Sequence, residues 1–359
     1  MKKEELVLIW FNYNNYSFLK VEKILEKFDK IEDILDKNLV KNAFFDEKFN
    51  EISNKILETD FNKFEEEVLN DLFNYSLKAI TYVSDDYPEK LKNIDDPPLV
   101  LYVKGNEKLL NSQSISIVGT RKPTTYGRIV CENFTKELSS AGLVTVSGLA
   151  YGIDTIVAES TLSVNGKTIA VLAGGLDSIY PSQNTGLAKR IIDNGGLLVS
   201  EYKVGHKPIN YQFISRNRIV AGLGDGLLIV EAGKASGTMT TAKFALEQSR
   251  ELFVVPGNIT SIQSEGTNTL IDEMPDTFTI SPTRILFKLG VKKNEKPKVQ
   301  NQIDMTESNI LDVLSNGETS FDDLCEKTGL SASILSSKLI KMEMFGLVKK
   351  GNGNYYHKM

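Results

Sequence analysis

Hydrophobic residues in the middle of the chain form short continuous runs, and segments with helical periodicity lie between them, for example around 126–140, 183–194 and 239–250. The runs are SISIVG (114–119), LVTVSG (143–148), TIAVLAGG (168–175), LLVSEY (197–202), GLLIVEAG (226–233) and ELFVVPG (251–257). Continuous β-rich runs that alternate with helices are typical of a parallel sheet with helices on both faces. The pattern predicts an α/β core whose ligand crevice is formed by the loops at the carboxyl ends of the strands.

The flanking segments have different patterns. Before residue 75, apolar residues recur at helical spacing, as in the stripe from Val21 to Ile31. YPEKLKNIDDPPLVLYVKGN (87–106) has the pattern of an extended connector with one short strand, LVLYV. Three helical patterns and a hairpin with a GNGN turn near the end predict a winged helix-turn-helix. We therefore predict a helical domain (1–78), an α/β core with its connector (79–285), a linker containing KKNEKPK (286–303) and a winged helix-turn-helix-like domain (304–359).

The charges are distributed unevenly along an acidic chain of net charge −5. All seven arginines lie between Arg121 and Arg284, whereas residues 1–75 contain eleven lysines and seventeen acids. Residues 301–359 contain six lysines, eight acids and no arginine. We therefore expect anion binding in the α/β core. The helical domain is expected to pack or interact, and the C-terminal domain to bind protein or dimerise rather than to bind duplex DNA.

The sequence gives no sign of a metal, a cofactor or a membrane segment. Cys131 and Cys325 are far apart and lack metal-ligand spacing, which favours a reducing, cytoplasmic location. Gly166-Lys167-Thr168 lacks the earlier glycine of a phosphate-binding P-loop, and G-x-G-x-x-G is absent after the first strand of the core. No segment approaches the roughly 18 apolar residues of a membrane helix.

Two Gly-rich turns follow the first two strands of the core. VGTRKPTTYG (118–127) leads into a helix, so free backbone N–H groups and the positive helix end favour a phosphate there. Arg121 adds a guanidinium that can hold phosphate through two hydrogen bonds. SGLAYGID (147–154) forms the second turn, in which Gly148 allows a ligand to approach closely and Asp154 is expected to accept local hydrogen bonds.

Two later segments offer similar groups. In FISRNR (213–218), Phe213 is either a core residue or a platform for a stacked base. Arg216 and Arg218 lie two positions apart, so on a helix one can face phosphate while the other braces the loop or the sheet. KASGTMT (234–240) again joins a strand to a helix and offers hydroxyls and amides. Four such loops at one sheet edge predict an elongated anion-binding groove, which suits a chain of phosphates better than a single nucleotide.

Catalytic residues are difficult to find. His206 and His357 have no neighbouring nucleophile or metal-ligand partner in the sequence. Glu231 and Asp177 lie near strand ends and could act as bases, but hydrogen bonding to loop amides explains them equally well. We therefore predict no catalytic residue and no enzymatic activity.

The motifs taken together resemble one protein family. VGTRKPTTYG, SGLAYGIDTIVAE, TIAVLAGGLDSIYPSQN, LLVSEY, FISRNRIVAGL, VEAGKASGTMTTAKFALEQSRELFVVPGN and SEGTNTLI occur in the order typical of the DNA-processing protein A (DprA, or Smf) family. The resemblance implies a Rossmann-like core between a helical SAM-like domain and a winged helix. It also implies a non-enzymatic, commonly homodimeric protein that binds single-stranded DNA and loads the recombinase RecA onto it, in natural transformation or recombinational repair.

The resemblance also assigns site residues and exposes three departures. Asn210 stands where relatives often carry a lysine, and Lys207 could compensate for it. Glu159 stands where the family often has histidine, and SEGTNTLIDEM lacks the usual Gly-Ala. By position in the family, Arg121, Phe213, Arg216 and Ser236-Gly237-Thr238 would line the DNA pocket, and Asn217 and Arg218 would complete it or support it. With the residues indicated by the loops themselves, the predicted DNA-binding residues are Gly119, Thr120, Arg121, Gly148, Lys207, Phe213, Arg216, Asn217, Arg218, Lys234, Ser236, Gly237 and Thr238.

Two other functions are compatible with parts of the pattern. KASGTMTT resembles the G-G-x-G-T-x-x-E loop of the Lonely Guy nucleotide N-glycoside hydrolases, but Thr241 occupies the position of their catalytic Glu. The second alternative is a ligand-sensing core whose winged helix binds duplex promoter DNA. The absence of arginine after residue 284 argues against it.

Overall fold

The computed structural model of the chain describes residues 1–43, 50–291, 304–315, 317–344 and 347–358. The chain divides into two compact units, Met1–Lys293 and Asn294–Met359. Among the helices of the described ranges, none combines the length and the apolar character that crossing a bilayer requires.

The first unit begins with a group of helices. They are α1 (Lys3–Tyr13), α2 (Phe18–Leu25), α3 (Lys37–Ala43), α4 (Asn50–Glu58) and α5 (Phe61–Tyr75). The predicted helical stripe from Val21 to Ile31 is interrupted, because α2 ends at Leu25 and a 3-10 turn begins only at Ile31. Phe28 and Ile31 still pack on the same apolar cluster as Val21. Packing rather than helical continuity thus keeps this stripe on the core.

An eight-stranded sheet follows in the described part of this unit, in the order β1-β2-β6-β5-β4-β3-β7-β8. Its strands are β1 (Lys78–Thr81), β2 (Val100–Gly105), β3 (Ser114–Val118), β4 (Val144–Ser147), β5 (Thr168–Leu172), β6 (Leu197–Ser200), β7 (Gly226–Ile229) and β8 (Glu251–Val254). Neighbours from β6 to β8 are parallel, whereas β1 and β2 pair antiparallel. The predicted α/β fold with a parallel sheet is therefore confirmed.

Helices cover both faces of the sheet. They are α6 (Glu89–Lys92), α7 (Thr125–Ser140), α8 (Ile153–Ser163), α9 (Thr185–Asp193), α10 (Asn210–Leu223), α11 (Gly237–Glu247), α12 (Glu265–Glu273) and α13 (Pro282–Lys288). On β3, Ile117 packs towards Leu138 of α7, and Val118 belongs to the cluster that includes Ile219 of α10. Burial on both faces explains why the strands are continuously apolar.

The strand order creates a crevice. The chain runs from β3 outward to β6 and then returns to β7 on the opposite side of β3. The loops that leave β3 and β7 lie side by side at the carboxyl edge of the sheet but lead to α7 and α11 on opposite faces, and open α/β sheets bind ligands in the crevice at such a point.

The ends of the core differ in part from the predicted segments. The N-terminal helices share an apolar cluster with the sheet, in which Phe11 and Ile56 lie with Tyr102 and Leu172. At the other end, residues 286–288 belong to α13, whose buried Leu286 packs on the core, although the linker was predicted to begin at 286. The rest of the predicted linker, residues 292–303, lies outside the described residues.

The second unit has the predicted winged-helix arrangement. Its elements are α14 (Met305–Leu314), β9 (Thr319–Ser320), α15 (Phe321–Thr328), α16 (Ala332–Met344), β10 (Val348–Lys350) and β11 (Tyr355–Lys358). Ile310, Leu324 and Leu335 form its buried centre. Positive φ angles at Gly353 and Asn354 close the hairpin between β10 and β11, as the GNGN sequence predicts.

Candidate nucleic-acid interface

A cleft of about 570 Å³ lies at the carboxyl ends of the parallel strands. Loops after β3, β4 and β7 and one face of α10 form its walls. From α10 it is lined by Asn210, Phe213, Asn217 and Val220, whose spacing of three or four places them on one helix face, together with Ile214 and Arg216. The predicted residues that the structure brings to this cleft are Gly119, Thr120, Arg121, Gly148, Phe213, Arg216, Asn217, Ser236, Gly237 and Thr238.

Arg216 is the most buried cation of the cleft, with 3% of its surface exposed. Its Nη1 donates hydrogen bonds to the carbonyl oxygens of Gly148, at 2.7 Å, and Val171, and its Nε donates to Oδ1 of Asn217 at 3.2 Å. Burial lowers the pKa of the guanidinium to about 10, although nearby Asp154 favours the charged form. Arg216 is therefore still charged at neutral pH, and its hydrogen-bond partners are neutral oxygens.

Gly148 makes the position of this guanidinium possible. A Cβ atom at residue 148 would lie 2.4 Å from Nη2 of Arg216 and 2.5 Å from its Cζ. Asp154 holds the same turn, because its Oδ2 accepts the N–H groups of Gly148 at 3.1 Å and Ala150 at 3.3 Å. Asp154 is thus the hydrogen-bond acceptor that the sequence predicts.

Arg121 and Phe213 also line the cleft. The exposed guanidinium of Arg121 lies 5.6 Å from the centre of the Phe213 ring, at the distance of a cation–π contact. Two backbone hydrogen bonds fix the turn before Arg121: Thr120 N donates to Glu231 O at 2.7 Å, and Ile153 N donates to Thr120 O at 3.2 Å. Phe213 is only half-buried, so its ring is part of the cleft surface rather than of the core.

Glu231 acts as a structural acceptor. Its buried carboxylate accepts hydrogen bonds from Thr124 N at 2.8 Å and Thr124 Oγ1 at 2.7 Å. Thr124 Oγ1 in turn accepts the N–H of Gly127 in the first turn of α7. Of the two roles left open by the sequence, hydrogen bonding to the loop is the one that the structure provides.

The amino terminus of α11 supplies further donors. The first N–H groups of a helix have no partner within the helix, and Ser236, Gly237 and Thr238 bring these groups to the cleft. Within the described part of the chain, Ser236 Oγ is buried without a hydrogen-bond partner. This end of the cleft thus offers amide and hydroxyl donors to an anion.

Three predicted residues do not line the cleft. Arg218 is 8% exposed and forms a two-point ion pair with Glu201, with both N–O distances 2.7 Å. Burial opposes its charge, but Glu201 and Asp96 outweigh this effect and raise the pKa of Arg218 above its ordinary value. Of the two roles that the sequence allows, Arg218 therefore braces the loop, whereas Arg216 lines the cleft. Lys207 and Lys234 are exposed and lie outside the lining.

Some lining residues are absent from the sequence prediction. Tyr180 lies in the loop after β5, and Gln263 comes from the segment before α12, where its Oε1 accepts a hydrogen bond from Thr120 Oγ1 at 3.0 Å. Tyr180 follows a strand end, as the predicted loops do, so its position carries a signal. The sequence gives no such signal for Gln263, because only tertiary folding brings its segment to the cleft.

The residues considered for catalysis make contacts within the protein. His206 stacks on Tyr202 at 4.7 Å and hydrogen-bonds to Gln212. Thr241, at the position of the hydrolase glutamate, donates a hydrogen bond to Gly237 O at 3.3 Å. Among the described residues there is no group of three or more His, Cys, Asp and Glu residues that could hold a metal ion.

Comparison with known proteins gives the family. A family model described as DNA recombination-mediator protein A matches residues 78–289, and one described as the DprA winged helix domain matches residues 294–354. The chain belongs to the DNA recombination-mediator protein A family. Protein Smf of Escherichia coli is 34% identical over 281 residues, which cover 76% of this chain and 75% of that protein.

Two solved structures of the recombination-mediator family agree with the fold. The X-ray structure of DNA processing protein A from Streptococcus pneumoniae matches with a TM-score of 0.68 and 31% identity, over 80% of this chain and 98% of that one. The protein from Helicobacter pylori matches with a TM-score of 0.54 and 33% identity, over 59% of this chain and 95% of that one. The latter structure is described as giving insights into the single-stranded DNA binding mode of that protein.

Proposed function

We propose that this protein binds single-stranded DNA in the cleft between β3, β7 and α10 and acts as a recombination mediator. The observation that carries the proposal is the Arg216 guanidinium, which is buried at the cleft and bonded to neutral oxygens only, among the described residues. A buried cation without a paired carboxylate favours an anionic ligand, and the α11 amino terminus adds donors to the same cleft.

The aromatic wall supports a single strand over a duplex. Phe213 presents its ring beside Arg121 inside the cleft. Bases of a single strand can turn to stack on such a ring, whereas paired bases in a duplex are already stacked on their neighbours. The combination of phosphate donors and a ring therefore suits a flexible, unpaired chain.

The finer role follows from the family. We infer that the protein loads RecA onto bound single strands, in natural transformation or recombinational repair, without catalysing a reaction, and that it works as a homodimer in the cytoplasm. The description of the family as a recombination mediator supports this role. The structure of the H. pylori relative, described in terms of single-stranded DNA binding, supports the ligand.

For the winged-helix unit we propose a protein-interaction role. Lys338 and Lys341 of α16 point to Asp304 and Glu307 within the unit, with Lys341 Nζ 2.8 Å from Glu307 Oε1. Ile334 and Ile340 on the same helix are 50% and 61% exposed. Paired lysines and exposed apolar side chains suit a protein partner better than a phosphate backbone.

Binding of a fluorescent oligo(dT) tests the proposal by anisotropy. We expect wild-type affinity to fall roughly tenfold between about 50 and 200 mM salt, and to exceed affinity for the matching duplex. Arg216→Ala should weaken binding about tenfold or more, and Arg121→Ala about threefold to tenfold, because each removes a charged donor. Arg190→Ala is the matched control, since Arg190 is exposed on α9 outside the cleft. Unchanged affinity in both cleft variants contradicts the assignment.

A further inference from the structure

Tyr180 is a large aromatic side chain with 53% of its surface exposed, although its surroundings are ordered by specific contacts. The next residue, Pro181, is buried. Asn184, in the 3-10 turn Ser182–Asn184 that follows, donates from Nδ2 to Leu149 O at 2.9 Å and to Thr155 Oγ1 at 3.0 Å. The backbone that carries Tyr180 is thus anchored to the β4–α8 turn while the ring remains in solvent.

The ring of Tyr180 adjoins the aromatic wall of the cleft. Its centre lies 5.3 Å from that of Phe213, and the two ring planes are inclined by 55°. Tyr180 lines both the main cleft and a small adjoining recess whose walls include Tyr151 and Ala173. Arg121 and Tyr180 therefore both adjoin the Phe213 ring, and Tyr180 is the more exposed of the two rings.

The geometry points to Tyr180 as a second stacking platform, so that the site holds two successive bases, one on Phe213 and the next on Tyr180. This inference rests on the proposed single-stranded DNA binding. The two rings are farther apart than the roughly 3.4 Å rise of stacked bases, and their inclination prevents one continuous stack. Two successive bases held on these rings must unstack from each other, and the bases of a duplex cannot do so while they remain paired. The second platform therefore also favours single strands over duplex.

Substitutions at residue 180 test this role by oligo(dT) anisotropy. Tyr180→Ala should weaken binding about fivefold to twentyfold, as loss of one stacked base predicts. Tyr180→Phe should stay within about twofold of wild type, because stacking requires the ring and not the hydroxyl. The matched control is Tyr75→Ala, since Tyr75 is 40% exposed at the end of α5, outside the cleft. An equal loss in Tyr180→Phe and Tyr180→Ala overturns stacking in favour of a hydroxyl contact.

A double-mutant cycle tests whether Tyr180 holds a base of its own or only supports the Phe213 ring. If Tyr180 holds its own base, Tyr180→Ala weakens binding further when Phe213 is already alanine. If Tyr180 only supports Phe213, the second substitution has no effect in that background, and the inference fails. If Phe213→Ala weakens binding but Tyr180→Ala binds like wild type, the role of Tyr180 is rejected and the proposed DNA-binding function is not. Wild-type affinity in Phe213→Ala, Arg121→Ala and Tyr180→Ala rejects the proposed function as well.

A tryptophan at this position gives a direct signal of stacking. Trp10 is the one tryptophan of the chain and is buried at 3% exposure in α1, so it contributes a constant background. In Tyr180→Trp, saturating oligo(dT) should quench the added fluorescence, whereas Tyr75→Trp should not respond. Oligonucleotide binding to Tyr180→Trp without quenching contradicts a stacked base at residue 180.

Discussion

The cleft of the first unit and helix α16 of the second unit use their cations differently. Arg216 at the cleft donates hydrogen bonds to carbonyl and amide oxygens. Lys338 and Lys341 on α16 are paired with the carboxylates of Asp304 and Glu307. Arg216 forms no ion pair with a described carboxylate, although nearby Asp154 favours its charged form, so its positive charge is less fully offset than the charges of the two lysines.

This difference shows why net charge alone does not locate a candidate nucleic-acid site. The net charge of −5 gives no hint of the cleft, and a winged helix by itself suggests duplex binding. The partners of each cation decide whether a phosphate gains from approaching it. Arg218 provides an internal test, because it lies on the same helix as Arg216 and is paired with carboxylates, as the lysines of α16 are.

The largest effect is expected for Arg218→Ala. It leaves Glu201, which is 13% exposed at its side chain, as a buried and unpaired carboxylate, so the unfolding free energy should fall by about 3–5 kcal/mol. Urea denaturation measures this loss. Oligo(dT) affinity under folding conditions should change less than about threefold, because Arg218 does not reach the cleft. If Arg218→Ala is folded and loses as much oligo(dT) affinity as Arg216→Ala, the idea that only the arginine without an ion pair contributes to DNA binding is wrong.

A smaller free-energy change, on binding rather than on folding, is expected for Gly148→Ala. The added methyl group meets the guanidinium of Arg216, so the side chain must leave its carbonyl partners. Oligo(dT) binding should weaken about tenfold, comparable to one charged hydrogen bond, while overpacking costs about 1–3 kcal/mol of stability. Gly186→Ala is the control, because a Cβ there meets no atom within 4 Å. Wild-type affinity of Gly148→Ala contradicts the role of the buried guanidinium.

Much of the fold follows from the sequence, because burial on both faces of the sheet requires continuous apolar strands. SISIV (114–118) and TIAVL (168–172) are buried throughout, as their composition predicts. Strand β1, with the sequence KAIT, was not predicted, since it is short and half-exposed at the sheet edge. The interruption after Leu25 was also not predictable, because no Gly or Pro marks it.

The candidate site was predictable where chain topology alone brings loops together. Arg121 and Ser236 follow β3 and β7, two neighbouring parallel strands, so their loops meet at one edge. Spacing predicted that Arg216 and Arg218 diverge, but not which of them faces the cleft. That choice depends on Glu201 and Asp96, whose positions are set by tertiary packing. Local sequence carries no record of such partners.

The smallest effect is expected for Glu307→Gln in the winged-helix unit. The hydrogen bond from Lys341 holds the pKa of Glu307 below its ordinary value, so the carboxylate is charged at neutral pH and cancels a neighbouring lysine. In Glu307→Gln, Lys341 loses this carboxylate partner, and its side chain, which is 52% exposed, is available to a phosphate. Lys338 remains paired with Asp304.

We expect duplex affinity of the full-length Glu307→Gln protein to rise by no more than about twofold to threefold at low salt, as one additional phosphate contact predicts. Oligo(dT) affinity at the cleft should not change, which provides the control within the same protein. A larger gain in duplex binding indicates that intramolecular pairing of α16 is what suppresses DNA binding by this unit. No gain at all indicates that its surface is unsuited to a phosphate backbone even when a lysine is released, and strengthens the proposed protein-binding role.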